Sequence, residues 1–158
     1  MAEDMRETIA NAAKTLLFDK KVQKLTVKDI VEECHITRQT FYYHFEDIPD
    51  LMAWSLRRNF DRVIAQCQAQ KNGEEALRYL LSAAVNARPM LKKGMQSNYG
   101  EELERQLEGL LMDFLSHVAA SRGLYARVSA REAELLLRYH CGGVMFLLRD
   151  WKEQDTAE

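Results

Sequence analysis

Proline occurs twice and glycine seven times in 158 residues. Folds built from many short strands need more of both at their turns, so this composition points away from strands. There are only three cysteines, Cys34, Cys67 and Cys141, far apart and odd in number. That excludes a disulfide framework and fits reduced intracellular thiols. No apolar run approaches the roughly 18–20 residues that span a bilayer. The start, M-A-E-D-M-R-E-T, is too polar and acidic for a secretory leader. An excess of positive charge is missing too. The 22 Lys and Arg face 24 Asp and Glu, a net charge of -2, which excludes a generally basic nucleic-acid coat. A soluble, cytoplasmic protein without membrane contact is expected.

What is abundant is Leu, Ala, Glu, Arg and Lys, with 47% of the chain hydrophobic. These are helix formers, so the expected fold class is all-α, as one compact unit or two small interdependent ones. Ile9, Ala13, Leu16 and Leu17 recur at helical spacing, widened by Ala12 and Phe18, and predict a first helix from about Asp4 to Lys20. Thr26 is a good N-cap for a short second helix ending near Cys34, with Asp29 as its capping-box partner. Leu25 and Ile30 can staple its start. The same grammar repeats at once: Thr37 caps, and Ile36 and Phe41 can staple. Two short helices separated by about three residues have helix-turn-helix spacing.

A further helix is predicted from Asp47–Pro49 to about Gln70, with Asp47 and Asp50 at its positive end. Another is predicted from Glu74 to about Ala87, carrying Leu77, Leu80, Leu81 and Ala84. Arg88-Pro89 should interrupt it, leaving Met90–Gln96 as a short helix or loop. A long helix follows Tyr99-Gly100, with Leu103, Leu107, Leu110, Leu111, Phe114 and Val118, and closes at Arg122-Gly123. Ser129, paired with Glu132, caps a last helix carrying Leu135, Leu136, Tyr139, Val144, Phe146, Leu147 and Trp151.

The stretch T-R-Q-T-F-Y-Y-H-F places two Phe, two Tyr and one His in five consecutive positions. Phe41 and Phe45 are i and i+4 and share one helix face. Arg38, Gln39, Thr40, Tyr42, Tyr43 and His44 occupy the other sides. Arg suits guanine, Gln suits adenine, Thr offers a methyl and a hydroxyl, and Tyr and His can donate to phosphate. A helix with one side in a protein core and the other in a major groove accounts for rings and polar tips together.

The segment L-T-V-K-D-I-V-E-E-C-H-I-T-R-Q-T-F-Y-Y-H-F-E-D-I-P-D-L, residues 25–51, resembles the DNA-binding domain of the TetR family of transcriptional regulators, and the likeness covers roughly residues 5–60. The ending Y-H-C-G-G-V-M-F-L-L-R-D-W resembles the short C-terminal domain of regulators associated with dihydroxyacetone kinase operons. The resemblance implies a helix-turn-helix DNA-binding domain at 1–47 and a helical regulatory and dimerisation domain at 48–158. Thr26 and Lys28 would meet phosphate, and Arg38, Gln39 and Thr40 would face bases. Tyr42 and His44 would bind backbone phosphates, with Tyr43 at the groove edge. It further implies a homodimer on a palindromic operator, joined through the last two helices, about 100–120 and 130–151. A small effector would modulate it, and repression would be its usual outcome. A ligand pocket, if built as in the family, draws on Trp54, Tyr79, Arg88, Tyr99, Phe114, His117 and Tyr139.

The chain departs from the family at Ile48, where most members carry a phosphate-touching Lys, inside the acidic stretch Glu46-Asp47-Ile48. Residues 1–48 also hold seven Lys and Arg against nine Asp and Glu. That balance supports an alternative, a co-regulator of the same fold that works mainly through a protein partner. Cys34-His35 and His140-Cys141 are poor metal pairs, since neighbours on a helix diverge by about 100°. No nucleophile–base pair or paired catalytic carboxylates stand out, so neither an enzyme nor a metal or other cofactor is expected. Gly142-Gly143, inside a helical pattern, reads either as a helix break or as a close approach at a dimer seam.

Overall fold

The computed structural model describes residues 2–20 and 22–150. Trp151 and the Leu77 side chain, both counted in the stripes above, lie outside that description. The described residues form seven helices and no strand: α1 (Ala2–Phe18), α2 (Val27–Cys34), α3 (Arg38–His44), α4 (Ile48–Gln68), α5 (Gly73–Met95), α6 (Gly100–Arg122) and α7 (Ala130–Asp150). None is long and apolar enough to cross a membrane. The chain divides into two compact units, residues 1–104 and 105–158.

The first unit is organised around the buried stripe of α1, Ile9, Ala13, Leu16 and Leu17. Leu25, Ile30, Phe41, Phe45, Ile48 and Leu51 close on it from α2, α3 and the start of α4. Each large side chain removed from water there contributes about 1.5–3 kcal/mol, enough to hold helices of eight and seven residues that are too short to persist alone. The caps set where these helices begin. Thr26 and Asp29 form the reciprocal capping box, and the Thr37 hydroxyl accepts from the Thr40 amide at 3.1 Å. Both hydrophobic staples close, with Leu25, Ile30 and Phe41 buried and Ile36 packed against the same core. His35 ends α2 in the left-handed region, at φ 55°. There its amide turns back to the Glu32 and Val31 carbonyls.

The helix of Gly73–Met95 corrects the expected break at Arg88-Pro89: α5 runs through Pro89 without interruption. A proline inside a helix costs about 3 kcal/mol. Packing of α5 on α4 and α1 offsets that cost. Leu91 is buried beyond the proline, and the Lys93 ammonium donates to the Phe18 carbonyl at 3.0 Å, at the C-terminal end of α1. The turn from α5 into α6 is tight. Ser97 Oγ donates to the Gly94 carbonyl at 2.6 Å and accepts from the Tyr99 amide at 3.2 Å. Its neighbour Asn98 grips Leu25 from both sides: the Leu25 amide donates to Asn98 Oδ1 at 3.0 Å, and Asn98 Nδ2 donates to the Leu25 carbonyl at 3.5 Å.

In the second unit, Gly123 closes α6 at φ +59°, the left-handed conformation that favours glycine. Ser129 and Glu132 form the expected box at the start of α7, with the Ser129 amide donating to Glu132 at 2.8 Å. That bond holds the Glu132 carboxyl below its usual range. On α7, Cys141 and Met145 are buried, and Cys141 Sγ donates to the Glu108 carbonyl at 3.8 Å. The helix continues through Gly142 and Gly143, so no break occurs there.

Candidate nucleic-acid interface

The helix-turn-helix sorts the aromatic run of α3 cleanly. Phe41 and Phe45 are 0% and 2% exposed, whereas Tyr42 and Tyr43 are 56% and 81% exposed. The Tyr42 ring stands edge-on to Phe41 at 5.4 Å, and Tyr43 edge-on to His44 at 5.0 Å. Each ring pair fixes the direction of an outward side chain. Arg38 and Gln39 are exposed on the first turn of the helix, and His44 is half-buried at its end. One surface therefore carries guanidinium, carboxamide, two phenols and an imidazole over a dry core, the donor and acceptor set that base edges and phosphates require.

Two residues of the expected set are tied into the protein. The Thr26 hydroxyl donates to Asp29 Oδ2 at 2.6 Å and accepts from the Asp29 amide at 3.2 Å, so its proton is directed inward. Thr40 shares a 2.9 Å hydroxyl–hydroxyl hydrogen bond with Thr37. Lys28 is exposed on α2, and its 3.8 Å approach to Glu32 is a loose surface pair that a phosphate can displace.

The acidic balance of residues 1–48 is partly absorbed by the fold. Glu7 pairs with Arg58 and Arg62, Asp29 sits in its capping box, Glu33 pairs with Lys20, and Asp47 caps α4 by accepting from the Asp50 amide at 2.8 Å. Asp50 in turn accepts from the Glu46 amide at 3.1 Å. Ile48 is 2% exposed, a core residue at the position where the family more often carries Lys.

Of the seven side chains expected at a ligand pocket, Trp54, Tyr79, Arg88 and Tyr99 lie in the first unit, and Phe114, His117 and Tyr139 in the second. Trp54 packs on the first unit's core and lines an open cleft of about 480 Å³ with Arg57, Arg58, Asp61, Arg62 and Ala65. Tyr99 also packs against that core. Tyr79 and Arg88 are half-buried on α5, and the Arg88 Nε is buried without a hydrogen-bond partner among the described residues. In the second unit Phe114 is half-buried, while His117 and Tyr139 are exposed. Of the seven, only Trp54 lines the cleft.

Sequence reasoning missed Arg6, Glu7, Lys93 and Asn98, which tie α1 and α2 to neighbouring elements. No periodicity or motif marks them. The Glu7 carboxyl is held below its usual range, first by the hydrogen bond from Arg62 and then by the charge of Arg58. Burial pushes the Cys34, Cys67 and Cys141 thiols up, away from the reactive thiolate.

Residues 9–53 match the family of bacterial regulatory proteins, tetR family. The chain is also 32% identical over 59 residues to the HTH-type dhaKLM operon transcriptional activator DhaS of Lactococcus lactis subsp. lactis (strain IL1403). That likeness covers 37% of this chain and 32% of the relative, so the chain spans about a third of the protein it matches. No solved structure matches it significantly. The matched stretch 9–53 holds α2, α3 and their turn, so the likeness to the tetR family of bacterial regulatory proteins rests on the helix-turn-helix segment.

Proposed function

We propose that the chain is a cytoplasmic DNA-binding transcriptional regulator that reads a palindromic operator as a homodimer through residues 26–44. The observation that carries this reading is the two-sided α3, with Phe41 and Phe45 buried and Arg38, Gln39, Tyr42 and Tyr43 turned outward. In a two-fold dimer the two copies of α3 enter successive major grooves, roughly 34–36 Å apart. Repression follows where the operator overlaps a promoter. The matched relative is by name an activator, so a reporter fusion is the measure of sign. A small effector acts by favouring one separation of the two α3 helices over another.

Selection of duplex DNA from a random library, at low and physiological salt, tests the reading. Recovery of a two-fold-symmetric site supports it. No enrichment at either salt shifts weight to the partner-dependent co-regulator. Tyr42→Ala is expected to keep the fold, because its side chain is largely exposed, and to weaken operator binding at least about tenfold. Unchanged affinity of the folded variant would remove Tyr42 from the interface.

The homodimer draws support from α7. Leu135, Tyr139, Phe146 and Leu147 are 58%, 76%, 62% and 48% exposed, an apolar patch of the kind that marks an interaction surface. Gly142 and Gly143 lie between them, and a Cβ added at either meets nothing within 4 Å. Gly142→Ala therefore tests the seam by opposite signs. The isolated helix gains about 1 kcal/mol in propensity, while a partner helix packed against the glycine is pushed away. Sedimentation equilibrium and thermal melts of the same variant should show weaker dimerisation with a more stable monomer. Equal dimerisation would place the seam elsewhere.

A further inference from the structure

Arg6 and Glu7 are neighbours on α1 that reach two different helices. Arg6 Nη2 donates to the His44 carbonyl at 3.0 Å. His44 is the last residue of α3, so this carbonyl is one of the helix-end acceptors that lack a partner within the helix. A guanidinium there also complements the negative end of the helix dipole. The Arg6 guanidinium carbon lies 5.2 Å from the ring centre of Phe45, the C-cap of α3. Phe45 meets Trp54 edge-on at 5.8 Å, and Trp54 carries the Arg58 guanidinium at 5.2 Å. Arg58 and Arg62 then close the circuit on Glu7, at 3.2 and 2.9 Å. One ring of contacts thus runs from α1 to the end of α3, across α4, and back to α1.

We infer that Arg6 is a positioning residue for DNA reading: it fixes the C-terminal end of the recognition helix, and Glu7 holds it in place by anchoring α1 on α4. The inference rests on the DNA-reading function proposed above. A helix of seven residues cannot hold its own direction. Its first turn is set by the Thr37 cap and by Phe41, and its last by Phe45 and Arg6. A binding constellation tolerates displacements of only about 0.5 Å and 10–20°. Losing the Arg6 tie therefore costs base reading before it costs folding. A phosphate-binding arginine would behave differently, since it serves every DNA sequence alike.

The test uses the full chain as Arg6→Met, Arg6→Lys, Glu7→Gln and the Arg6→Met/Glu7→Gln double variant. Binding to the selected site and to a scrambled duplex is followed across a salt series, with thermal melts in parallel. Arg6→Met is expected to lose about ten- to a hundredfold on the selected site, the readout of one base pair. Scrambled-duplex affinity and its salt slope should stay unchanged. Arg6→Lys should recover part of the loss, and Glu7→Gln should lose specificity in the same direction. The double variant should be no worse than Arg6→Met, because the two residues act in series.

A salt slope lowered by about one, with the specificity ratio kept, would make Arg6 a phosphate contact and overturn the inference. So would an equal loss on both duplexes that tracks a lowered melting temperature, which is the behaviour of a structural residue. A wild-type chain that prefers no site at all is a separate outcome: it overturns the DNA reading, and the role of Arg6 falls with it.

Discussion

Phe41→Ala is expected to destabilise the helix-turn-helix by about 3–5 kcal/mol, the range for emptying a buried phenylalanine site. Phe41 is 0% exposed and lies 6.0 Å from Phe45 in the core that joins α1, α2 and α3. Removing the ring leaves a cavity under a helix of only two turns, which cannot collapse into it without changing direction. The ring is also the support against which Tyr42 stands edge-on. Stability in domains of this size is typically about 5–15 kcal/mol, so the loss is a large part of the whole. Urea melts followed by helical circular dichroism measure it, and DNA binding should vanish along with the fold. Here Phe41→Ala and Tyr42→Ala separate two roles of adjacent rings. The first should lose structure and function together, the second function alone. A loss below about 1 kcal/mol for Phe41→Ala would mean that α3 is held by something other than this ring.

Gly100→Ala is the second large expected effect, at about 3 kcal/mol or more, the upper end of overpacking penalties. A Cβ at Gly100 would stand 1.9 Å from the Met95 carbonyl oxygen and 2.7 Å from its carbon. Both are backbone atoms of the α5 terminus, and no rotamer change can move them aside. Gly94 is the useful contrast. Its added Cβ meets only Leu103 Cδ2, at 2.5 Å, the far end of a flexible side chain. Gly94→Ala should therefore cost clearly less. The strain of Gly100→Ala falls on the turn that carries Asn98, so the paired hydrogen bonds to Leu25 should open as well. Thermal melts of both variants, with amide exchange at Leu25, check this. A Gly100→Ala chain as stable as the parent would mean that the α5–α6 turn is far looser than described.

The elements that could be read from the chain are those whose cause is local. Thr26 with Asp29, Thr37, and Ser129 with Glu132 announce their helices because cap and partner lie within three residues. The staples Leu25–Ile30 and Ile36–Phe41 are nearly as close, and the Phe41–Phe45 spacing already assigns the inner face of α3. The passage of α5 through Pro89 was hidden, because it depends on packing that local propensity does not contain. The ties that place the site were hidden more deeply. Arg6 and His44 are 38 residues apart, Glu7 and Arg58 51, Leu25 and Asn98 73, and Phe18 and Lys93 75. Each is a single polar pair across a long stretch of chain, with no repeat to reveal it. The hydroxyl of Thr26 that signals the cap in the sequence is the one that makes the cap in the structure.

The outward side chains of α3 have a consequence for how this protein can change over generations. Arg38, Gln39 and Tyr43 lie outside the core that holds the unit together, and substitutions at such exposed positions usually alter stability by no more than about 0.5 kcal/mol. Their identities can drift or be selected without endangering the fold. On the proposed DNA reading, a duplicated copy of this gene could therefore acquire a new target in one or two steps. Thr37, Phe41 and Phe45, interleaved with them along the same helix, are denied that freedom by the cap and core they build. Variation and constraint are thus interspersed along a single two-turn helix and its caps.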